Sequence, residues 1–322
     1  MKLKGGNTMG RYILKRLGQT AIVLIILSFI IFMLISMLPG DPVYAMLGGE
    51  ISEETYQRWY YALNLDKPVV VRYFLWLWDA IRLDFGTSAS YHKSVTEVLG
   101  DHVPVTLYFS LLSFFISIPL GIITGILSAV YRGKKIDTIV TMGANITCCL
   151  PQFWLSVLFL YIFSMKLGWF PSFGFTSPLV DFTKSIRQTI LPLTCLTLGG
   201  IASITRQTRS SMLEVIRQDY VRTARSKGLA ERKVIYVHAL KNALIPVITL
   251  MGLRLGMLIG GSMFVESVFN IPGVGTLFVT SIQAQDIPLI QACVLLIALV
   301  SSVVNVITDI VYAVVDPRIR LS

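Results

Sequence analysis

Hydrophobic runs as long as a bilayer is thick recur along this chain, and they constrain its fold more than any other feature. A helix needs about 20 apolar residues to cross the hydrocarbon core. Five such windows carry no charged residue and a sixth carries only Arg254; they lie at residues 17–38, 103–131, 138–165, 188–205, 242–265 and 287–308. In lipid each segment must satisfy its own backbone hydrogen bonds, so helices are expected rather than strands. The sequence therefore predicts an all-α, polytopic membrane protein with six transmembrane helices.

The composition agrees with a membrane setting, and the basic residues predict the orientation. Hydrophobic residues make up 54% of the chain and charged residues only 14%, and the mean hydropathy is +0.69. With a cytosolic N-terminus, the cytosolic segments hold nineteen Lys and Arg and the outer segments eight, as the positive-inside rule requires. Both termini are therefore predicted to be cytosolic. Because the basic residues are divided among short loops, we interpret the net charge of +10 as a topology signal and predict no nucleic-acid partner.

The chain shows no residues arranged for catalysis, nucleotide binding or metal binding. Its three histidines are isolated from one another, and no HExxH or Cys-His spacing occurs. The cysteines fall within predicted spans and are interpreted as small buried thiols; they are Cys148, Cys149, Cys195 and Cys293. A glycine pair near the N-terminus has P-loop spacing but lacks the Lys and Ser or Thr that should follow. We expect no cofactor, no metal and no enzymatic activity, so any energy for transport must come from a partner.

The polar segment 206–241, between the fourth and fifth windows, is predicted to form an exposed helix-turn-helix. Apolar residues recur at three- and four-residue steps, which predicts one stripe on an amphipathic helix; they are Leu213, Ile216, Tyr220 and Ala224. Gly228 permits a left-handed turn. Glu231 then begins a second helical run, which carries Val234, Ile235 and His238. We interpret the segment as a knob that docks a cytosolic partner; the alternative is a basic loop lying on anionic headgroups.

This segment resembles the EAA loop of binding-protein-dependent ABC importer permeases, in the version of the dipeptide, oligopeptide and nickel branch. HALKNALIP at residues 238–246 is similar to the usual ending of that loop, and Gly228 matches its glycine. The sequence departs from the pattern at residues 222–224, where Arg-Thr-Ala replaces Glu-Ala-Ala, and at residues 240–241, where Leu-Lys replaces Leu-Pro. The resemblance implies a loop that couples to an ATPase. Its candidate residues are Asp219, Tyr220, Arg222, Thr223, Ala224, Lys227, Gly228, Leu229, His238 and Asn242.

Seven further motifs, in the order found in that branch, extend the resemblance over nearly the whole chain. They are LPGDP at 38–42, LNLDKP at 63–68, RYFLWL at 72–77, LDFGTS at 83–88, LPQFWLS at 150–156, FVESVFNIPGVGTL at 264–277 and DPRIR at 316–320. The resemblance implies a five-helix permease core and a peripheral first helix. We accordingly divide the chain into a cytosolic N-terminus with the first helix at 1–38, an extracytoplasmic segment at 39–102 and the permease core at 103–322.

The resemblance also implies partners and a substrate. The partners are a homologous second permease subunit, two cytosolic ABC ATPase subunits and an extracytoplasmic solute-binding protein, in a bacterial-type cytoplasmic membrane. The implied substrate is a short peptide; the alternative within the family is nickel or another small peptide-like solute. Segment 39–102 is rich in aromatic residues, which anchor proteins at membrane interfaces. Interfacial packing alone, or a surface that also receives the solute-binding protein, would explain that composition.

Two other classes of function remain as alternatives. A partner-free secondary transporter would be expected to show inverted repeats and an acidic coupling site at the midplane, and neither is evident. A membrane receptor or scaffold would use segment 39–102 for binding and segment 206–241 for signalling, without a conduit. Binding without uptake of solute would support the receptor.

The fifth window carries candidate residues for the pathway or for helix packing. Arg254 lies deep, where an ionisable group usually faces protein or water. Glu266 lies at the outer end of the window, as a pathway residue or as an ordinary carboxylate on the rim. Glycines four residues apart allow close packing of helices, within the chain or against a second permease; they are Gly252, Gly256 and Gly260, with Gly261 beside the last.

Overall fold

The computed structural model describes residues 6–49 and 51–315. Within them, all regular structure beyond one isolated bridge is helical, which confirms the all-α fold. The α-helices are α1 (Gly6–Ser36), α2 (Pro42–Leu47), α3 (Glu53–Ala62), α4 (Val69–Ile81), α5 (Val95–Val130), α6 (Lys135–Cys149), α7 (Gln152–Phe159), α8 (Phe182–Val215), α9 (Asp219–Ser226), α10 (Glu231–Lys233), α11 (Leu240–Val268), α12 (Val274–Gln283) and α13 (Ile287–Val315). Two π-helical segments adjoin them, π1 (Leu160–Lys166) after α7 and π2 (Val234–Ala239) before α11. The predicted DPRIR motif at 316–320 lies outside the described residues.

All six predicted windows fall on these helices. Five stretches are long and apolar enough to cross a membrane, and they lie in α1, in α5, in α8, in the run from α10 into α11, and in α13. The sixth window, residues 138–165, corresponds to α6 followed by α7 and π1, a pair that is apolar enough only when taken together. The described residues therefore hold five candidate membrane-crossing helices, and a sixth if the bent pair is counted as one span.

The break in the sixth window bends the chain by 105°, whereas the sequence analysis placed one continuous span there. Pro151 is the cause, because the residue before a proline is driven out of the helical conformation. Leu150 accordingly has φ −82° and ψ 130°, which is extended backbone, and α6 ends at Cys149. α7 then begins directly after Pro151, whose missing N–H is not needed at a helix start.

Polar side chains cap the starts of three helices between the predicted spans. Asp41 accepts a hydrogen bond from the Val43 backbone N–H at 2.8 Å at the start of α2. Ser52 does the same for α3, and Asp181 for α8. These contacts satisfy backbone donors that have no partner within the helix. The segment predicted at 39–102 is therefore largely helical, with α2, α3, α4 and the start of α5.

By its contacts the chain divides into two compact units. Among the described residues, the first unit holds 6–49, 51–107 and 271–303, and the second holds 108–270 and 304–315. The first unit is thus built from two stretches that lie far apart in the sequence. The division of the sequence at residues 38 and 102 stays a prediction.

The first unit has an apolar core and a buried polar clamp. Its core joins the start of α5 to α12 and α13 through Val95, Val98, Leu99, Val274, Leu277, Leu289, Ala292 and Cys293. Asp286, which is fully buried, accepts hydrogen bonds from Ser88 Oγ at 2.6 Å and from the Ser90 backbone N–H at 3.0 Å. The clamp attaches the chain between α4 and α5 to the start of α13.

The second unit is closely packed where small residues face one another. A Cβ atom added to Gly125 would lie 2.5 Å from Thr208 Cβ, and one added to Gly121 would lie 2.6 Å from Ile204 Cβ. Thr124 and Thr205 share a hydrogen bond of 2.7 Å at the same contact. α5 and α8 therefore approach as membrane helices do when small residues line their interface.

Candidate functional site

Residues 219–239, called the docking element after the role that the sequence predicts for them, are anchored to the second unit by apolar side chains. The first ten residues of the predicted 206–241 segment are part of α8, so the element begins with α9. Its buried side chains are Val221, Ala224, Val234, Ile235 and Ala239. They form one apolar cluster with Ile126, Ala129, Met212 and Ala243. Because burying one valine side chain contributes roughly 1.5–3 kcal/mol, the inner face is held firmly while the outer face stays exposed.

The predicted apolar stripe is wrong at Tyr220 and in assuming one continuous helix, whereas Ala224 belongs to the apolar cluster and Leu213 and Ile216 pack against it. α8 ends before a turn at residues 216–218, and α9 begins after it. Leu213 and Tyr220 therefore lie on different helices, and their spacing does not place them on one face. Val221 takes the inward position and is fully buried, whereas Tyr220 is 42% exposed.

The turn after α9 is braced by an ion pair. Gly228 has φ +75°, the left-handed conformation that the sequence predicted. Across this turn the Arg225 guanidinium donates two hydrogen bonds to Glu231, from Nη2 at 2.6 Å and from Nε at 3.1 Å. The contact with Glu231 raises the pKa of Arg225. A two-point contact of this kind is geometrically specific, so it joins the two sides of the turn in one orientation.

A second polar contact ties the start of the docking element to α11. The Asn242 side-chain amide donates a hydrogen bond to Tyr220 Oη at 2.8 Å. The sequence placed both residues in the coupling set but did not predict their pairing. This contact explains why Tyr220 lies outside the apolar cluster, because its hydroxyl group reaches α11 instead.

The outer face of the docking element is exposed and mainly basic. The exposed members of the predicted set are Asp219, Tyr220, Arg222, Thr223, Lys227, Gly228 and Asn242. Leu229 and His238 are partly buried, and Ala224 is buried. The exposed charges of the element are Arg222, Arg225, Lys227, Arg232 and Lys233 against Asp219 and Glu231. A complementary partner would present more acidic than basic groups here.

Sequence reasoning missed a buried ion pair in the second unit. Asp137 is 6% exposed and pairs with Arg209 through Nε at 2.8 Å and Nη2 at 3.0 Å. Ser128 Oγ and the Gly133 backbone N–H donate to the same carboxylate, at 2.6 and 3.0 Å. This network attaches the turn between α5 and α6 to α8. An acidic residue at the start of an apolar window was the signal that could have pointed to it.

Glu266 and Arg254 occupy different surroundings. Glu266 is fully buried, which corrects its interpretation as a rim carboxylate, and it accepts a hydrogen bond from Ser262 Oγ at 2.9 Å. Arg254 is partly buried, and no acidic partner faces it among residues 6–49 and 51–315. The cost of burying a carboxylate must be offset by nearby hydrogen-bond donors. Glu266 therefore lies on a packed face of α11.

Of the glycines spaced four residues apart in α11, only some pack against another helix of this chain. An added Cβ atom at Gly252 would collide with the Thr308 side chain, whose hydroxyl also donates to the Gly252 carbonyl at 3.1 Å. Gly260 faces open space, so close packing within the chain is wrong for that position. The surroundings of Gly256 and Gly261 lie outside the described part of the structure.

The cysteines are divided between buried and exposed positions. Cys195 and Cys293 are buried as expected, whereas Cys148 and Cys149 are exposed, which corrects the interpretation of all four as buried thiols. The last two lie at the end of α6, just before the bend, where less of the chain surrounds them. Within the described residues no three His, Cys, Asp or Glu side chains come together as metal ligands.

The family described as "binding-protein-dependent transport system inner membrane component" matches residues 117–321. The N-terminal part of such a membrane component matches residues 9–110. This chain belongs to that family. It is therefore a multi-pass inner-membrane component of a binding-protein-dependent transport system, as the motifs indicated. The docking element, Arg254 and Glu266 all lie within the larger match.

Relatives match the permease over nearly its full length. A protein of Brucella abortus (strain 2308), named as a peptide transport system permease protein, is 41% identical over 97% of this chain and 99% of its own length. The oligopeptide transport system permease protein AppB of Bacillus subtilis (strain 168) is 38% identical over 97% of this chain and all of its own length. A solved inward-facing structure of the MetNI methionine ABC transporter aligns with a TM-score of 0.55 and 22% identity, over 68% of this chain and 96% of that chain. That likeness shows that the permease has an ABC importer fold.

Proposed function

We propose that this permease forms the peptide-conducting path of an ABC importer and that its docking element receives a cytosolic ATPase subunit. The observation that carries the docking assignment is the construction of the element. Its apolar face is buried in the second unit, its turn is braced by Arg225 and Glu231, and its charged face is exposed. The names of the Brucella and Bacillus relatives support a peptide as the transported solute.

The proposed assembly has four kinds of partner. They are a homologous second permease, two ATPase subunits, an extracytoplasmic solute-binding protein and the surrounding bilayer. The docking element and both termini are then cytosolic, and segment 39–102 is extracytoplasmic, as the distribution of basic residues predicts. ATP hydrolysis belongs to the ATPase subunits, and the permease acts through binding and movement.

The contacts of the element suggest how force would reach the membrane. α10, π2 and α11 follow one another without a loop, and the Asn242 contact holds Tyr220 of α9 against α11. A displacement of α9 by the ATPase would therefore move α11 with it rather than bend the connection. α11 carries Arg254 and Glu266, and Gly252 packs on Thr308 of α13, so two membrane helices would move together. We infer that this motion alternates access to the two sides of the membrane.

Uptake by proteoliposomes that hold the complete complex tests this proposal. Wild type should take up labelled di- to pentapeptides when ATP and the solute-binding protein are supplied. Gly228→Val forces a β-branched residue into a left-handed turn, and it should lower uptake at least 10-fold while the complex still assembles. Gly168→Val is the matched control, because Gly168 also has φ in the left-handed region (+64°) and open space around it but lies outside the docking element.

The outcomes separate the two parts of the proposal. Loss of uptake with Gly228→Val but not with Gly168→Val supports docking through the element. Equal uptake by wild type and Gly228→Val contradicts it. ATPase activity that is stimulated by another solute, with no uptake of any peptide, would keep the transporter and overturn the peptide as its substrate.

A further inference from the structure

The first unit contains a cavity of about 600 Å³. Its walls come from the end of α1, from α3 and α4, from the chain after α4 and from the first turn of α13. Phe32, Trp59 and Ile287 give it an apolar side. Its volume lies in the range of roughly 300–1,000 Å³ that is usual for small-molecule sites.

Two buried hydrogen-bond donors on this cavity have no protein partner. They are Arg72 Nε and Trp76 Nε1. Gln291, which also lines the cavity, is only 6% exposed and can add an amide group. An unsatisfied buried polar group costs about 1–3 kcal/mol, so two on one cavity indicate a missing ligand. Burial also lowers the pKa of Arg72, as expected for a guanidinium that lacks a nearby carboxylate.

The unpaired groups select the charge of the ligand. Arg72 and the Trp76 N–H can only donate hydrogen bonds, so they require an acceptor, and Arg72 favours a phosphate or carboxylate. Asp79 and Asp84 also line the cavity and favour a cation, whereas Arg58, another lining residue, adds to the positive charge that favours an oxyanion. A ligand that carries an oxyanion and an ammonium group satisfies both sets.

The position of the cavity along the membrane spans indicates where such a ligand would come from. Phe32 lies one turn before the end of α1 at Ser36, and Ile287 is the first residue of α13. Both helices are candidate membrane spans, so the cavity lies where one apolar helix ends and another begins. Tryptophan is enriched at that depth, and Trp59 and Trp76 are both on the cavity. Phospholipid headgroups occupy the same depth of a bilayer.

We propose that this cavity binds the headgroup of an aminophospholipid of the phosphatidylethanolamine type. The phosphate accepts hydrogen bonds from Arg72, Trp76 and Gln291, and the ammonium group faces Asp79 and Asp84. Phe32 and Ile287 contact the glycerol and the first carbons of the acyl chains. The site rests on the geometry of the first unit and not on the identity of the transported solute.

Lipid binding to the purified, delipidated complex in detergent tests the site. Phosphatidylethanolamine is titrated, and bound lipid is counted by native mass spectrometry. Arg72→Met should weaken binding at least 10-fold, and Trp76→Phe, which removes the N–H together with the five-membered ring of the indole, should weaken it about 3-fold. Arg82→Met and Trp78→Phe are matched controls on the same stretch of chain. Arg82 stacks on Trp78 with Cζ 4.5 Å from the ring centre, and neither residue lines the cavity.

Two further titrations distinguish the headgroup and the source. Asp79→Asn should weaken phosphatidylethanolamine but not phosphatidylglycerol, which lacks the ammonium group. A zwitterionic dipeptide should not displace the lipid. Equal lipid binding by wild type, Arg72→Met and Trp76→Phe would overturn the site. Displacement by the dipeptide would also overturn it, because the cavity would then be a solute site.

Discussion

Arg225 of the docking element and Arg72 of the cavity differ in how exposed their side chains are and in whether they have a hydrogen-bond partner. The Arg225 side chain is 40% exposed and makes a two-point contact with Glu231. Arg72 is partly buried, and its Nε has no acceptor. A guanidinium satisfied within the chain braces a shape, whereas one buried without a partner remains available to a ligand. The comparison separates the segment that we propose transmits force from the cavity that we propose binds a lipid.

The largest effect is expected at a third arginine, Arg209, which is partly buried and paired with the buried carboxylate of Asp137. Asp137→Ala leaves Arg209 without its partner, and because the Arg209 side chain is 28% exposed we expect a cost of about 2 kcal/mol, below the value for a fully buried pair. We expect a clear decrease in the melting temperature of the purified complex. Glu97→Ala is the control, because its pair with Lys93 is half-exposed (2.8 Å, side chains 53% and 52% exposed). Equal decreases in melting temperature for the two variants would show that burial does not determine how much each ion pair contributes to stability.

Arg72→Met should stabilise the delipidated complex by about 1 kcal/mol, because it removes a buried donor without an acceptor. The same variant should lose the stabilisation that added phosphatidylethanolamine gives to wild type. Thermal melting with and without the lipid measures both effects. A loss of more than 1 kcal/mol in the absence of lipid would mean that Arg72 is satisfied within the chain, and the comparison with Arg225 would fail.

Arg225→Met should cost only about 0.5 kcal/mol, because exposed ion pairs contribute little to stability. Its effect on transport should be larger than its effect on melting, since the contact orients the turn. Uptake and melting are measured on the same preparation, together with Glu231→Gln and the double variant. If the two single losses of uptake simply add in the double variant, the ion pair does not act as one unit.

Trp76→Phe should have the smallest effect, a change in stability below about 0.5 kcal/mol, because the loss of the five-membered ring is offset by the removal of an unsatisfied donor. Trp78→Phe should be equally mild, so melting alone cannot separate them. Lipid binding should separate them, with only Trp76→Phe affected. A destabilisation above 1 kcal/mol in Trp76→Phe would indicate that its N–H is hydrogen-bonded in the folded complex.

The sequence predicted those features that depend on local pattern. The six apolar windows all became helices, because hydropathy over 20 residues is a property of one segment. Gly228 adopted the predicted left-handed turn, whereas the break at Leu150, which Pro151 explains, was not included in the predicted continuous span. The size of that bend was not predictable, because it depends on the packing of the helices on either side.

The failures arose where the structure depends on distant contacts or lacks a local signal. The turn at residues 216–218 contains no glycine or proline, so the stripe through Tyr220 was extended across a helix break. The burial of Glu266 depends on the packing of α11, and a position near the end of a window cannot reveal it. The pair of Asp137 and Arg209 joins residues 72 positions apart, which one sequence does not connect.

The Asp286 clamp has a consequence for the order in which the permease is made. Ser88 and Asp286 are 198 residues apart, and a ribosome adds about 5–20 residues per second. Ser88 therefore waits roughly 10–40 s after its own synthesis before its partner exists. During that interval the chain between α4 and α5 must be kept from misfolding without its clamp. The first unit is thus synthesised partly at the beginning and partly near the end of translation. A ribosome that stalled before α13 would leave this unit without Asp286 and without its polar clamp.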